Sequence, residues 1–171
     1  MLIATFFIYE QFEYDTNRTR NKNIGDMNIP INKNAPVQSS FNIYIDAPKE
    51  KVWGLLTNIN DWPNWQSDIT QAILNQDLGE GVAFKWKAGG LSFNSQIHTM
   101  IPEEKLGWTG NTIGAKAIHN WFLSSAGKGT EVYVEESLQG VFPNLFTGYF
   151  QKNLDKGVQK NLMELKLVSE K

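Results

Sequence analysis

From Ile69 onward, apolar and polar residues alternate with a period of two, and this pattern constrains the fold more than any other feature of the sequence. Short turn sequences rich in Gly, Pro and acidic residues interrupt the alternation. The pattern predicts six strands, at about 69–76, 81–88, 91–101, 105–111, 115–125 and 130–138. Because the turns between them are short, we expect an antiparallel meander with one buried face.

The segments on either side of this meander complete a two-layer domain. Residues 40–46 predict one strand, Pro48 opens a helix, and residues 58–65 predict a second short helical turn. From Pro143, apolar residues recur at helical spacing to position 165, which predicts one long helix. An α+β fold follows, in which a curved seven-stranded antiparallel sheet wraps around the C-terminal helix.

Composition narrows the chemistry that the chain can perform. The 171 residues suit one domain, and the absence of Cys excludes disulfides, cysteine metal sites and thiol nucleophiles. Sixteen basic against eighteen acidic residues give a net charge of −2, which argues against a nucleic-acid partner. His98 and His119 lie on different predicted strands with opposite orientation, and no motif for a metal or cofactor accompanies them. We therefore expect no metal, no cofactor and a cytoplasmic protein; the oligomeric state stays open.

The N-terminal 36 residues differ from the remainder. An apolar run over residues 1–9 is too short to span a bilayer and lacks the features of a secretory signal, so no stable membrane insertion is expected. Residues 13–36 are rich in Asn and mixed charges and have no periodicity. We predict a mobile extension over 1–36 and a folded domain over 37–171, with Met27 as an alternative start.

Several motifs of the folded domain resemble the START/Bet v 1-like (SRPBCC) superfamily, and within it the bacterial polyketide cyclase/dehydrase-like proteins. The matching stretches lie across about residues 37–168 and are Ile45-Asp46-Ala47-Pro48 with Val52-Trp53, Asp61-Trp62-Pro63-Asn64-Trp65, Phe84-Lys85-Trp86, Leu106-Gly107-Trp108-Thr109-Gly110 and Ala117-Ile118-His119-Asn120-Trp121. The resemblance implies the helix-grip fold, with a hollow between sheet and helix that holds an apolar or amphipathic small molecule. It implies no catalytic motif.

Strand parity predicts which side chains line such a hollow. On 91–101 the odd residues, Ile101 included, form the apolar face, and His98 lies outside. On 115–125 we favour the face of His119, although Ile118, Asn120 and Phe122 form a competing face. The predicted ligand-binding residues are Phe84, Trp86, Phe93, Ser95, Ile97, Trp108, His119, Trp121, Val134, Phe146, Tyr149 and Phe150.

Two interpretations of His119 and Glu136 stand side by side. As catalytic residues they form an acid–base pair in which the carboxylate fixes the imidazole tautomer, with Ser95 or Tyr149 as proton partners. As structural residues they are polar groups in an apolar wall.

The first function predicted is a carrier or sensor of a hydrophobic small molecule. The alternative is a metal-free cyclase or dehydratase, with lyase or isomerase chemistry. A third, a protein-interaction role, requires an exposed apolar patch.

Overall fold

The computed structural model describes residues 28–171, and the predicted helix-grip α+β fold is confirmed. Seven antiparallel strands form one sheet in the order β1-β7-β6-β5-β4-β3-β2. The strands are β1 Val37–Ile45, β2 Ile69–Ile73, β3 Ala83–Ala88, β4 Leu91–Ile101, β5 Lys105–Thr112, β6 Ala115–Ala126 and β7 Gly129–Gln139. The helices are α1 Lys49–Thr57, a 3-10 turn Ile59–Asp61, α2 Trp62–Trp65, α3 Val141–Leu145 and α4 Thr147–Ser169.

The inner face of the sheet packs against α1 and α4. Residues at helical spacing on α4, namely Val158, Leu162 and Leu165, are buried against this face together with Val52 and Leu56 of α1. The core lies nearer the C-terminal end of α4, since the N-terminal half of α4 buries few side chains. A hollow therefore remains between that half and the sheet.

The pairing register places five side chains in one row across the inner face. Ile97 of β4 pairs with Trp108 of β5, Trp108 with His119 of β6, His119 with Glu136 of β7, and Glu136 with Ser39 of β1. Ser39 then donates a 2.7 Å hydrogen bond from its hydroxyl to Asp155 of α4. His119 of β6 and Glu136 of β7 lie on the inner face, as predicted from strand parity. The competing face of β6, with Ile118, Asn120 and Phe122, is the outer face.

A register shift in β4 overturns part of the predicted strand face. Between Ile97 and Thr99 the pairing skips one residue, so Met100 lies opposite Leu106 and packs on the core. Ile101, which we expected to face inward, lies opposite Lys105 on the outer face and is 40% exposed. A bulge adds one residue to one strand and thereby exchanges the two faces beyond it.

Strand β2 ends earlier than predicted because the backbone of Leu74 bonds to a side chain and not to a neighbouring strand. Asn60 accepts a hydrogen bond from the Leu74 backbone N–H at 2.7 Å and donates one to the Leu74 carbonyl at 3.0 Å. Both backbone groups of Leu74 are thus satisfied without a sheet partner. The 3-10 turn is fixed to the end of β2 by the same pair of bonds.

The predicted C-terminal helix is divided at Phe146, whose backbone leaves the helical region (φ −126°, ψ 44°). The short α3 before this break packs beside the β5–β6 turn, where the Phe142 N–H donates a hydrogen bond to the Gly114 carbonyl. A Cβ added to Gly114 would lie 2.4 Å from the Phe142 ring, so the two segments fit closely. Large apolar side chains remain exposed around α3, namely Ile113, Val141, Leu145, Phe146 and Tyr149.

The outer face of the sheet carries the segment 28–35. The Asn32 N–H donates to the Ser137 hydroxyl at 3.0 Å, and Asn120 donates from its side chain to the Ile29 carbonyl at 3.1 Å. Lys105 is buried nearby against the Phe122 ring, and this burial lowers its pKa. Residues 1–27, Met27 included, lie outside the described part, and the mobile extension with a boundary at 36 stays a prediction. No helix within residues 28–171 is long and apolar enough to cross a membrane.

Gly129 is required where β7 begins. A Cβ there would meet the Ile45 carbonyl at 2.3 Å, and backbone cannot yield as a side-chain tip does. We expect Gly129→Ala to lower the free energy of unfolding by about 1–3 kcal/mol, as overpacking does. Gly54 of α1 has open space around it, so Gly54→Ala should raise that free energy by about 0.5–1 kcal/mol. Urea denaturation measures both, and equal effects would contradict the close contact.

Candidate functional site

The site is built around a stack of three rings from β5 and β6. Trp108 and His119 are cross-strand partners, and their rings lie parallel with centroids 4.5 Å apart and an interplanar angle of 6°. Trp121, two residues along the same face of β6, stacks on His119 at 5.6 Å. Two indoles therefore stack on the imidazole, and its hydrogen bonds are made at the ring edge.

Glu136 occupies one part of that edge. His119 Nδ1 lies 2.6 Å from Glu136 Oε2, and the two side chains are 8% and 14% exposed. A carboxylate can only accept, so Nδ1–H is the donor. The other ring nitrogen, Nε2, is buried and has no hydrogen-bond partner within residues 28–171. A lone pair without a partner costs less to bury than a charged N–H, so the geometry favours a neutral ring with its proton on Nδ1.

A second group of aromatic rings forms the opposite wall. Trp86 of β3 stacks on Phe93 of β4 with centroids 4.2 Å apart, and its indole N–H donates to the Ser95 hydroxyl at 3.0 Å. Trp62 of α2 connects the two walls, since its ring contacts those of Trp86 at 6.5 Å and Trp108 at 5.6 Å. The Trp62 N–H donates to the Leu56 carbonyl at 3.0 Å, which holds α2 against α1.

Between these walls and α4 lies a cavity of about 360 Å³. Phe150, Leu154 and Val158 of α4 border it at helical spacing, and Gly157 leaves part of the helix surface bare. Its charged lining groups are few. Glu136 lies among the rings, whereas Asp68 and Lys116 are exposed side chains at the rim. The cavity is thus mainly apolar with a single carboxylate beside the central stack.

Two polar contacts join α4 to the segment that follows α2. Lys160 lies 2.5 Å from Asp68, and their hydrogen bond raises the pKa of Lys160. Ser67 donates from its hydroxyl to Glu164 at 2.6 Å. Both contacts are exposed, so each contributes little to stability. Within the described residues, no three His, Asp or Glu side chains converge as metal ligands.

The structure brings many of the predicted site residues together, and the remainder lie elsewhere. Those that border the cavity are Trp86, Phe93, Trp108, His119, Trp121, Glu136 and Phe150. Phe84, Ile97 and Val134 belong to the filled core instead, and Ser95 is buried as the partner of Trp86. Phe146 and Tyr149, which were also predicted to line the site, are 56% and 69% exposed and do not border this cavity. Tyr149 precedes Phe150 by one residue, or 100° around α4, and Phe146 lies at the helix break.

Sequence reasoning also missed several lining residues. Trp62 and Leu56 border the cavity from the helical pair. Asn153 and Asn161 border it from α4. These Asn residues lie beside Leu154 and Val158 on the helix, so extending the helical face past its apolar members would have found them.

The buried stack should carry stability that the exposed aromatic residues do not. Trp108 contacts three other rings, so we expect Trp108→Ala to lower the free energy of unfolding by about 3–5 kcal/mol. Tyr149→Ala removes an exposed ring and should change it by no more than about 0.5 kcal/mol. Urea denaturation compares the two, and a large loss in Tyr149→Ala would contradict the placement of α4.

This chain resembles a known protein family in sequence and solved structures in fold. A sequence model of the family described as "Polyketide cyclase / dehydrase and lipid transport" matches residues 36–170. Among curated proteins, none matches this chain.

Solved structures share the fold at low sequence identity. A hypothetical protein from Helicobacter pylori is 17% identical, with a TM-score of 0.74 over 83% of this chain and 95% of that one. A START superfamily protein from Mycobacterium smegmatis is 12% identical, with a TM-score of 0.69 over 78% and 97%. The Zhui aromatase/cyclase from Streptomyces sp. R1128 is 10% identical, with a TM-score of 0.69 over 78% and 93%. The sequence match over residues 36–170 shows that this chain belongs to the polyketide cyclase/dehydrase and lipid transport family.

Proposed function

We propose that the protein binds a hydrophobic or amphipathic small molecule in the aromatic cavity between sheet and α4, as a carrier or sensor does. The observation that carries this proposal is the cavity itself, which remains open at about 360 Å³ although the chain has six Trp and ten Phe residues. Small-molecule sites have volumes of about 300–1,000 Å³ and mostly apolar walls with a few polar groups.

The arrangement of the rings supports a flat ligand. Trp86 and Phe93 form one stack, and Trp108, His119 and Trp121 form the other. Both stacks belong to the sheet, whose hydrogen-bonded strands hold the rings in place. Rings fixed in this way lose little conformational freedom when a ligand arrives, so more of the contact energy is kept as affinity.

Purification from the native host provides the direct experiment. Native mass spectrometry should show the protein carrying a bound species of a few hundred daltons, which denaturation releases for identification. If the protein is empty and also fails to take up any apolar extract component saturably, the proposal is wrong.

A matched pair of glycine variants tests whether the binding occurs inside the cavity. Gly157 borders the cavity and Gly148 is exposed, both lie on α4, and a Cβ at either position meets nothing within 4 Å. We expect Gly157→Leu to fill the cavity and weaken binding of naphthalene by more than tenfold, with the free energy of unfolding unchanged or raised. Gly148→Leu should bind as the unmodified protein does. Calorimetric titration measures both, and equal affinities would show that the probe binds elsewhere.

The hydrogen bond between His119 and Glu136 favours a second candidate, a metal-free cyclase or dehydratase. Both side chains border one cavity, and His119 Nδ1 lies 2.6 Å from Glu136 Oε2, as an acid–base pair requires.

The geometry makes Glu136, and not His119, the residue that can reach a substrate. Nε2 of His119 is buried, while Glu136 Oε1 has no hydrogen bond within the described residues and its side chain is partly exposed. Glu136 would therefore accept a proton from carbon beside a carbonyl, with His119 holding the carboxylate in place.

Turnover distinguishes this candidate from simple binding. Incubated with host extract, a catalytic protein should consume one component and form a product that is isomeric or lighter by one water. Glu136→Gln should still bind that component but convert it at least about 100-fold more slowly, as loss of a general base does. Equal conversion by Glu136→Gln would exclude the pair from catalysis.

A further inference from the structure

Glu136 is the charged side chain beside the central ring stack, and its surroundings decide what it can hold. Oε2 already accepts from His119, whereas Oε1 accepts no hydrogen bond from any residue within 28–171. Oε1 is also not fully buried, so it retains contact with open space. Because Glu136 borders the cavity, that open space is where a ligand would lie.

No basic side chain among the described residues neutralises this carboxylate inside the cavity. The cationic side chain of the lining, Lys116, is exposed at the rim, and Lys160 of α4 is paired with Asp68. His119 donates one neutral N–H to Glu136, so the pair keeps the negative charge of the carboxylate. A carboxylate with one vacant oxygen beside apolar walls favours hydrogen-bond donors and repels anions.

We propose that Glu136 anchors the ligand through Oε1, that His119 is the positioning residue behind it, and that the ligand carries a hydroxyl or ammonium donor at its buried end. This inference rests on the proposed binding function and adds a chemical selection to it. Amphiphiles that end in a carboxylate, fatty acids among them, are excluded, because their anionic end would meet Glu136. The faces of the aromatic rings also attract the positive charge of an ammonium group. An ether or an ester has no such charge.

A series of naphthalene derivatives isolates the polar end while the apolar body stays the same. The probes are naphthalene, 2-naphthol, 2-naphthylmethylammonium, 2-methoxynaphthalene and 2-naphthoate, titrated calorimetrically at pH 7. The full chain should bind 2-naphthol about tenfold more tightly than its methyl ether, which corresponds to one good hydrogen bond. It should bind 2-naphthoate at least tenfold more weakly than naphthalene. The ammonium arm shows whether the donor is charged or neutral.

Variants separate the carboxylate from the residue that positions it. Glu136→Gln removes the charge, so binding of 2-naphthoate should improve at least tenfold. His119→Phe keeps a ring between the indoles but no donor, so the preference for 2-naphthol over its ether should fall to about twofold. Rejection of 2-naphthoate and affinity for naphthalene should persist in that variant, which a general loss of structure would not allow. Glu135→Gln is the matched control, since Glu135 bonds Asn120 on the outer face.

Each result bears on one of the two proposals. If 2-naphthoate binds the unmodified protein as tightly as 2-naphthol, or if Glu136→Gln leaves the selection unchanged, the inference is overturned while the binding function stands. If Glu135→Gln changes the selection as Glu136→Gln does, the anchor is not Glu136. If no probe binds, naphthalene included, the binding function itself fails, and the inference with it.

Discussion

The hydrogen bond between His119 and Glu136 and the ring stack beside it both depend on one pairing register across three strands. Trp108, His119 and Glu136 are consecutive cross-strand partners, so their side chains meet on one face without any loop to place them. A shift of one residue in either pair would place the two partners on opposite faces of the sheet. The period-two pattern of each strand specifies this register, because any other register would expose the apolar face.

The fold was predictable to the extent that it follows from periodicity. The alternation on β6 and β7 places His119 and Glu136 correctly, since neither strand has an irregularity before the pair. The bulge after Ile97 was not predictable, because one inserted residue leaves no periodic signal and two polar residues, His98 and Thr99, occupy it. The end of β2 depends on Asn60, thirteen residues upstream of Ile73, and local pattern carries no such contact.

Prediction of the site was limited by helix geometry more than by strand parity. Placing Phe146 in the cavity assumed one straight helix from Pro143, but the helix breaks at Phe146. Tyr149 lies within α4, but its offset of one residue from Phe150 turns it toward solvent. The chemistry of the His119–Glu136 pair was also only half predictable. Residue types and spacing give the pair, but which partner presents a vacant atom depends on the indoles that cover the imidazole, a three-dimensional fact.

The unequal attachment of α4 and α3 to their neighbours has a consequence for ligand entry. At the α3 end, the Phe142 ring packs directly over Gly114, and separating the two would expose apolar surface to water. Along α4, the contacts Lys160–Asp68 and Ser67–Glu164 exchange readily for water, because both are exposed and polar. The low-cost path for the proposed ligand therefore runs between α4 and the segment after α2. Exchange along it should quicken as salt screens the Lys160–Asp68 pair, while the apolar end stays shut.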